Sequence, residues 1–385
     1  MTAERRIAVN QLPNTLADAP VMDDAEFTRR ARDAETPLRF STSRSGVSVP
    51  IERPDHVGRI CADALRVAGL APTDVHLNLS APVPHSSGWS ANRGFYTLGA
   101  TSLNRDFTDW ERPVEDGSAR TATVVSSIPG KMADLAEEIE AAYGPPEEVF
   151  PALEIGAFAG QLLRPNVRET IESRWGLSET REFYGSSEAS MIAAATDGSR
   201  RMVPLLNHHV IEIEVDGEIV DIRDVSEPTE GEILITDPAR SAVTLRRYRQ
   251  GDRVRVYPSD PIPRITPLGR ADDAIAVEGA LLHPGDLYDA IHETFPEATT
   301  AVTYVRDARE PVTLEVFLEG TSEQRTDELY EALVSRQPAL GHAVGERPDE
   351  RLEITGVNDV RELPMVPETE LKSQLVVFES DREEQ

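Results

Sequence analysis

Phe183-Tyr184-Gly185-Ser186-Ser187-Glu188 sets two hydroxyls and a carboxylate at three consecutive positions, just behind a glycine. Glycine is the residue a tight turn needs, so the segment reads as a turn that presents polar groups. A helix-like segment over 164–175 and a short apolar–polar run precede it. Hydroxyls exchange hydrogen bonds with phosphate oxygens. A carboxylate beside them can hold Mg2+, which takes oxygen ligands and shares them with substrate phosphates. Taken alone the hexapeptide is equally a polar loop. Two downstream strings bear on it, Tyr248-Arg249-Gln250-Gly251-Asp252 and Gly269-Arg270-Ala271-Asp272-Asp273. The first would also make a hairpin turn between strands over 245–248 and 253–257, and the second an ordinary surface loop.

Outward from the hexapeptide, short apolar runs alternate with helical periodicity. Strands are expected over 75–79, 123–126, 153–158 and 181–184, with helices over 91–98, 131–143 and 167–175. Residues 54–70 are amphipathic, with Val57, Ile60, Cys61, Leu65 and Val67 at helical spacing. Such alternation predicts a parallel sheet covered by helices. Before it, 1–20 is polar and irregular, 23–35 is helical, and 41–50 is a hydroxyl-rich loop. From Met202 the pattern turns to strands, over 210–215, 218–222, 232–236 and 253–257, with an Asp216-Gly217 hairpin turn. Four prolines between 258 and 267 read as a stiff linker. Beyond Gly269 a smaller α+β pattern follows: strands over 274–277, 301–305, 312–318, 352–355 and 375–378, and helices over 285–295 and 323–334. The expected fold class is therefore α/β. A large multi-sheet domain spans 1–268, including a β-rich subdomain over about 202–268, and a small α+β domain spans 269–385.

The 385 residues suffice for two or three domains with buried cores. The net charge is −29, and only two of the basic residues are lysines, Lys131 and Lys372. Acidic residues spread over the whole chain, with arginine almost replacing lysine, read as adaptation to concentrated salt. There the Debye length falls to about 3 Å at 1 M and screens the self-repulsion. A docking site for a basic partner would more often show a charge block. No basic stripe marks a nucleic-acid surface. Cys61 is the sole cysteine, which excludes a disulfide framework, and it reads as a core residue. The amino terminus lacks an apolar leader pattern and no run of 18 apolar residues occurs, so a cytoplasmic protein without membrane contact is expected.

In this order the three strings resemble the acyl-adenylate-forming (ANL) superfamily, whose patterns read roughly YGxTE, YRxGD and GRxDD. The resemblance is to its phenylacetate–CoA ligase branch and covers nearly the whole chain from about Ser41. It implies a large domain that binds ATP and a carboxylic acid, and a small mobile carboxy-terminal lid. The reaction implied is a carboxylate plus ATP giving an acyl adenylate and pyrophosphate, followed by thiol attack, with coenzyme A as the expected acceptor. The partners implied are thus a small carboxylic acid, with aryl acids such as phenylacetate among those it admits, and a thiol. The oligomeric state is left open.

By that resemblance Glu188 is the Mg2+ ligand and Ser187 faces the phosphate. Gly185 and Ser186 belong to the same nucleotide-binding segment, and Tyr184 stacks on adenine. Ala159-Gly160-Gln161 lines the purine from its other side. Asp252 accepts hydrogen bonds from the ribose hydroxyls, Arg270 reaches the ribose, and Asp272 is the hinge of the lid. Lys372 follows Leu363-Pro364 at the position of a lysine that bridges carboxylate and α-phosphate during adenylation. In a chain so poor in lysine, a compact ammonium there is notable. The acyl pocket is implied at His85, Trp89, Phe95 and Ser127, although the aromatic residues would equally suit a core.

The phosphate loop departs from the family. The pattern SSGTTGKP is replaced by Thr42-Ser43-Arg44-Ser45-Gly46-Val47, with Ser43 for a glycine and Val47 for the lysine. Backbone N–H groups approach phosphates closely in glycine-rich loops, so this loop grips them less well unless Arg44 compensates. Two alternatives follow: an adenylyltransferase of the coenzyme F390 synthetase type, and a nucleotide-binding homologue without turnover. His208-His209 reads as a strand entry rather than a metal site, lacking a third ligand at suitable spacing. No G-x-S-x-G elbow marks a serine hydrolase.

Overall fold

The computed structural model describes residues 16, 19–36, 38–41, 48–51, 53–83, 85–161, 163, 165–240, 243–271, 275–277, 280–298, 300–306, 312–337, 340, 352–366 and 374–378. Positions 42–47, Asp272 and Lys372 lie outside them. The chain divides into two compact units, Met1–Leu162 with Ile171–Pro267, and Leu163–Thr170 with Leu268–Gln385.

In the first unit a seven-stranded sheet has the order β4-β3-β5-β6-β7-β8-β9. Its members are β3 (Val75–Asn78), β4 (Thr101–Leu103), β5 (Val124–Ser127), β6 (Ile155–Ala159), β7 (Glu179–Ser186), β8 (Ser190–Ala194) and β9 (Val203–Pro204). The first five pair in parallel, and β8 and β9 turn the far edge antiparallel. β4 lies on one side of β3 and β5 on the other, so the strand order reverses there. Open α/β sheets bind ligands at the carboxyl ends of their strands near such a reversal.

The helices follow from apolar spacing and from their end signals. α1 (Asp24–Asp33) begins at Asp23, whose side chain accepts from the Glu26 N–H. α2 (Pro54–Val67) starts on a proline and buries Val57, Ile60, Cys61, Ala64 and Leu65 on one face. α3 (Ser86–Leu98), α4 (Pro129–Tyr143) and α5 (Pro165–Trp175) complete the crossovers. Cys61 is a core residue, and burial pushes its thiol up to about 11.

A five-stranded sheet, β11-β10-β12-β13-β14, forms the β-rich part. It comprises β10 (Val210–Val215), β11 (Glu218–Asp221), β12 (Thr229–Asp237), β13 (Leu245–Tyr257) and β14 (Arg264–Arg270). The expected Asp216-Gly217 turn joins β10 to β11. Three sequence expectations are corrected in the first unit. The proline-rich stretch is not a linker throughout, because 264–270 is β14 at the end of this sheet. An edge strand tolerates Pro267, since a missing N–H on its outer side breaks no ladder bond. Residues 41–50 are not all loop: β1 (Leu38–Ser41) and β2 (Ser48–Ile51) pair antiparallel on either side of 42–47. Finally, 245–257 is one strand without a hairpin. Glu232 faces Arg253 and Leu234 faces Arg249, so β13 passes four positions where β12 passes two. The surplus residues form a bulge at Gln250-Gly251-Asp252, which turns their side chains out of the ladder.

Described separately, the second unit has the sheet β19-β18-β17-β20 and a small β15-β16 hairpin. Its strands are β15 (Ile275–Val277), β16 (Ala280–Leu282), β17 (Thr300–Arg306), β18 (Thr313–Glu319), β19 (Leu352–Val357) and β20 (Gln374–Phe378). α6 (Pro284–Thr294) and α7 (Thr326–Arg336) pack on it through Leu287, Ile291, Leu329 and Leu333. Among the described residues of both units, no helix is long and apolar enough to cross a membrane.

Candidate functional site

The hexapeptide ends β7 and enters the turn to β8. The β7–β8 register slips between Tyr184 and Gly185. A Cβ on Gly185 would lie 2.4 Å from the Ser190 carbonyl oxygen, so the close approach of the two backbones requires glycine. The turn itself is Ser187–Ala189, two residues later than the glycine alone implied. Ser186 Oγ fastens it by accepting from the Ala189 N–H at 3.0 Å.

From this end of β7 the side chains reach the β13 bulge. Tyr184 Oη donates to Asp252 Oδ2 at 2.7 Å, and Gln250 Nε2 donates to both, at 3.1 and 3.0 Å. Ser186 Oγ donates to Gln250 Oε1 at 3.3 Å. Burial, with the adjacent Asp252 charge, pushes the Tyr184 phenol well above its usual value and keeps it a donor. Two strings 66 residues apart, counted between Tyr184 and Gln250, thus form one polar cluster.

Below the turn is a cavity of about 30 Å³, lined among others by Ser86, Ser186, Ser187, Glu188, His56 and Arg240. Ser86 and Ser187 hydroxyls meet at 3.0 Å. Burial raises the Glu188 carboxyl above its ordinary value, partly offset by hydrogen bonds that include the Ser186 hydroxyl and by the Arg240 charge. Arg240 donates to the Glu188 carbonyl oxygen and, at 2.8 Å, to that of Pro50. Asp237 accepts from the Ala239 N–H at 2.9 Å and pairs with His56 Nε2 at 3.0 Å. Burial alone would raise Asp237. The His56 hydrogen bond and the nearby imidazoles outweigh it and hold the carboxyl below the usual range.

Other expected site residues fall in varied places. Ala159 pairs with Phe183, which sets Ala159-Gly160-Gln161 at the end of β6 beside the hexapeptide. Gln161 Oε1 accepts from the Gly130 N–H at 3.2 Å. Phe95 is 1% exposed and stacks on His76 with ring centroids 3.7 Å apart, packed as a core residue. Ser127 is buried and donates to the Leu79 carbonyl oxygen at 2.8 Å, which gives its hydroxyl a structural use. Trp89 is half-buried, 5.0 Å from Phe40 between ring centroids, and His85 is exposed at the start of α3. Arg270 ends β14 and belongs to the second unit. Ser43, Arg44, Ser45, Gly46, Asp272 and Lys372 lie outside the described residues. His208 pairs with Asp63 at 2.7 Å and His209 with the Met191 carbonyl at 2.9 Å, and no metal-binding cluster occurs among the described residues. Sequence reading missed His56, Asp237 and Arg240. Asp237-Pro238-Ala239-Arg240 carries only a turn signal, which would not have singled out the arginine.

A solved structure of 2-hydroxyisobutyryl-CoA ligase, in the postadenylation state in complex with 2-HIB-AMP, matches this architecture with a TM-score of 0.72. The match covers 94% of this chain and 80% of that one, at 16% identity. The chain has the fold of that ligase. No family model matches the chain. In sequence it is similar to the phenylacetate-coenzyme A ligase of Escherichia coli (strain K12), 26% identical over 252 residues, covering 62% of this chain and 54% of the relative. It is also similar to the phenylacetate-coenzyme A ligase of Pseudomonas putida, 25% identical over 242 residues, covering 60% and 53%. The chain spans about half the length of the curated relatives it matches. These likenesses bear out the resemblance read from the three strings and the α/β fold class with it.

Proposed function

We propose that this chain is an AMP-forming acid–thiol ligase. A carboxylate oxygen of the acid attacks the α-phosphorus of ATP, the bond to pyrophosphate breaks, and an acyl adenylate forms. The sulfur of a thiol, with coenzyme A the expected acceptor, then attacks the acyl carbon. The bond to AMP breaks and the thiol proton passes to solvent. The observation that carries this reading is the Tyr184–Gln250–Asp252 cluster at the carboxyl end of β7, in an adenylate-forming fold.

In this reading Asp252, an acceptor-only carboxylate, exchanges its Tyr184 bond for ribose hydroxyls. Tyr184 and the Ala159-Gly160-Gln161 segment flank the purine, and Ser187 faces the phosphates. Glu188 fits a Mg2+ ligand. Its carboxyl is pushed toward neutrality by burial and has the Ser186 hydroxyl as a hydrogen-bond partner, and a cation would stabilise the charged form there. When bound, Mg2+ would offset the charge of the phosphates. The unit from Leu268 onward is assigned the part of the lid, with Asp272 its hinge, Arg270 directed to the ribose and Lys372 the ammonium that acts during adenylation. Residues 43–46 are assigned to the phosphates. The reading includes concentrated salt as the working medium, on the net charge of −29.

Carboxylate-dependent ATP–pyrophosphate exchange in molar KCl, across aryl and short-chain acids, tests the proposal. Exchange with one class of acid, followed by thioester formation on adding coenzyme A, is the expected result. AMP binding without exchange on any acid would leave a nucleotide-binding protein without turnover. An AMP-containing product with no thiol dependence would make it an adenylyltransferase.

A further inference from the structure

We infer that Arg240 is a cation that receives the β- and γ-phosphates of the nucleotide, and that Asp237 and His56 are its positioning residues. The inference rests on the adenylating reading and deepens it. Arg240 comes from the turn after β12 and lies outside the three strings. Its guanidinium bridges the carbonyl oxygens of Glu188, in the turn with Ser187, and of Pro50, in the strand that follows 42–47. It therefore ties the turn that carries Ser187 to β2, and it lines the same cavity as Ser186, Ser187 and Glu188. Arg53 also lines the cavity among the described residues, but it is exposed at the start of α2, whereas Arg240 is half-buried. A half-buried guanidinium acts on an anion with less solvent screening than an exposed one, and it never loses its proton.

The support behind Arg240 is itself buried. Asp237 is 1% exposed, and its carboxylate holds the Ala239 N–H on one side and His56 Nε2 on the other. α2 thus fixes Asp237, Asp237 fixes the turn, and the turn sets the arginine. A positive group so placed also answers the loop's departure, where Val47 stands at the lysine position of the resembled family. Charge lost from the loop is supplied from β12.

Three variants test this, each read by calorimetry with magnesium pyrophosphate and with AMP, and by the KM for ATP. Arg240→Gln keeps an amide donor for the carbonyls but removes the charge. It should weaken pyrophosphate binding and raise the KM for ATP by about tenfold or more, the scale of one charge-assisted contact, with AMP affinity unchanged. Arg240→Lys keeps the charge and should recover most of that loss. Asp237→Asn should show the same split between ATP and AMP to a smaller degree. Equal losses for AMP and pyrophosphate in Arg240→Gln and Arg240→Lys would reduce Arg240 to a backbone clamp and overturn the inference. So would an unchanged KM for ATP in Arg240→Gln beside a wild type that exchanges normally. A wild type that exchanges with no acid would instead remove the adenylating reading, and this inference with it.

Discussion

Asp252 shows how much a single side chain owes to its neighbours. The string YRQGD was readable as either a ribose acceptor or a hairpin turn, and the bulge in β13 removes the hairpin. Asp252→Asn should weaken AMP binding by about 1–3 kcal/mol, the scale of hydrogen bonds to a charged group. Calorimetry giving wild-type affinity would leave Asp252 as a partner of Tyr184 only. Glu188 carries a cost as well as a role. Burial raises its carboxyl above the ordinary value, so the folded state disfavours the charged form. The penalty is absent at pH below the unfolded carboxyl's range, grows as pH rises through it, and is complete above the raised folded value. Glu188→Gln should therefore melt higher than wild type at pH 7, with the difference vanishing near about pH 4, while the maximal exchange rate falls. A variant that melts no higher at pH 7 would contradict the burial argument, and an unchanged rate the metal assignment. Lys372→Ala tests the remaining ammonium: the exchange rate should fall by orders of magnitude with ATP affinity kept.

At the scale of elements, the β7–β8 hairpin and α2 carry the site. Gly185→Ala would drive a methyl group into the Ser190 backbone, where no side chain can yield. We expect a loss of about 1–3 kcal/mol in denaturant unfolding, and AMP binding weakened along with it. Helix α2 is pinned at both ends of its buried face, by His56 to Asp237 and by Asp63 to His208. The His208 hydrogen bond holds Asp63 at about 2 against its ordinary 3.8. A depressed carboxyl stabilises the fold above its unfolded value and loses that contribution as pH falls through the folded one. Asp63→Asn should thus cost about 1–2 kcal/mol at neutral pH, allowing for screening of a partly exposed pair. The difference from wild type should close between pH 3.8 and 2. A constant difference across that range would show that the helix is held by packing alone. Element types were legible because periodicity survives in the sequence: Val57, Ile60, Cys61 and Leu65 do line the buried face of α2. Element ends were less so. Gly185 looked like the apex of a turn and is a strand residue, because its conformation answers to the Ser190 backbone, which local sequence does not contain.

At the scale of the whole molecule, the charge of −29 acts on everything at once. Melting temperature should rise steadily from dilute buffer to molar KCl as screening shortens the range of repulsion; equal melting in both would remove the salt adaptation. Sequence by itself determined the alternation of strand and helix, the switch to a β-rich region near Met202 and the smaller pattern after Gly269. Each of these is local and is written in apolar spacing and turn residues. It also brought out the three strings, because their spacing along the chain matches a family. Tertiary structure decided what those strings touch. Tyr184 reaches Asp252 only because β13 bulges at 250–252, and Phe95 packs in the core stacked on His76. Arg240 enters the site only because a buried Asp237–His56 pair holds its turn. Contacts between residues far apart in the chain depend on register and burial, which no single stretch of sequence encodes.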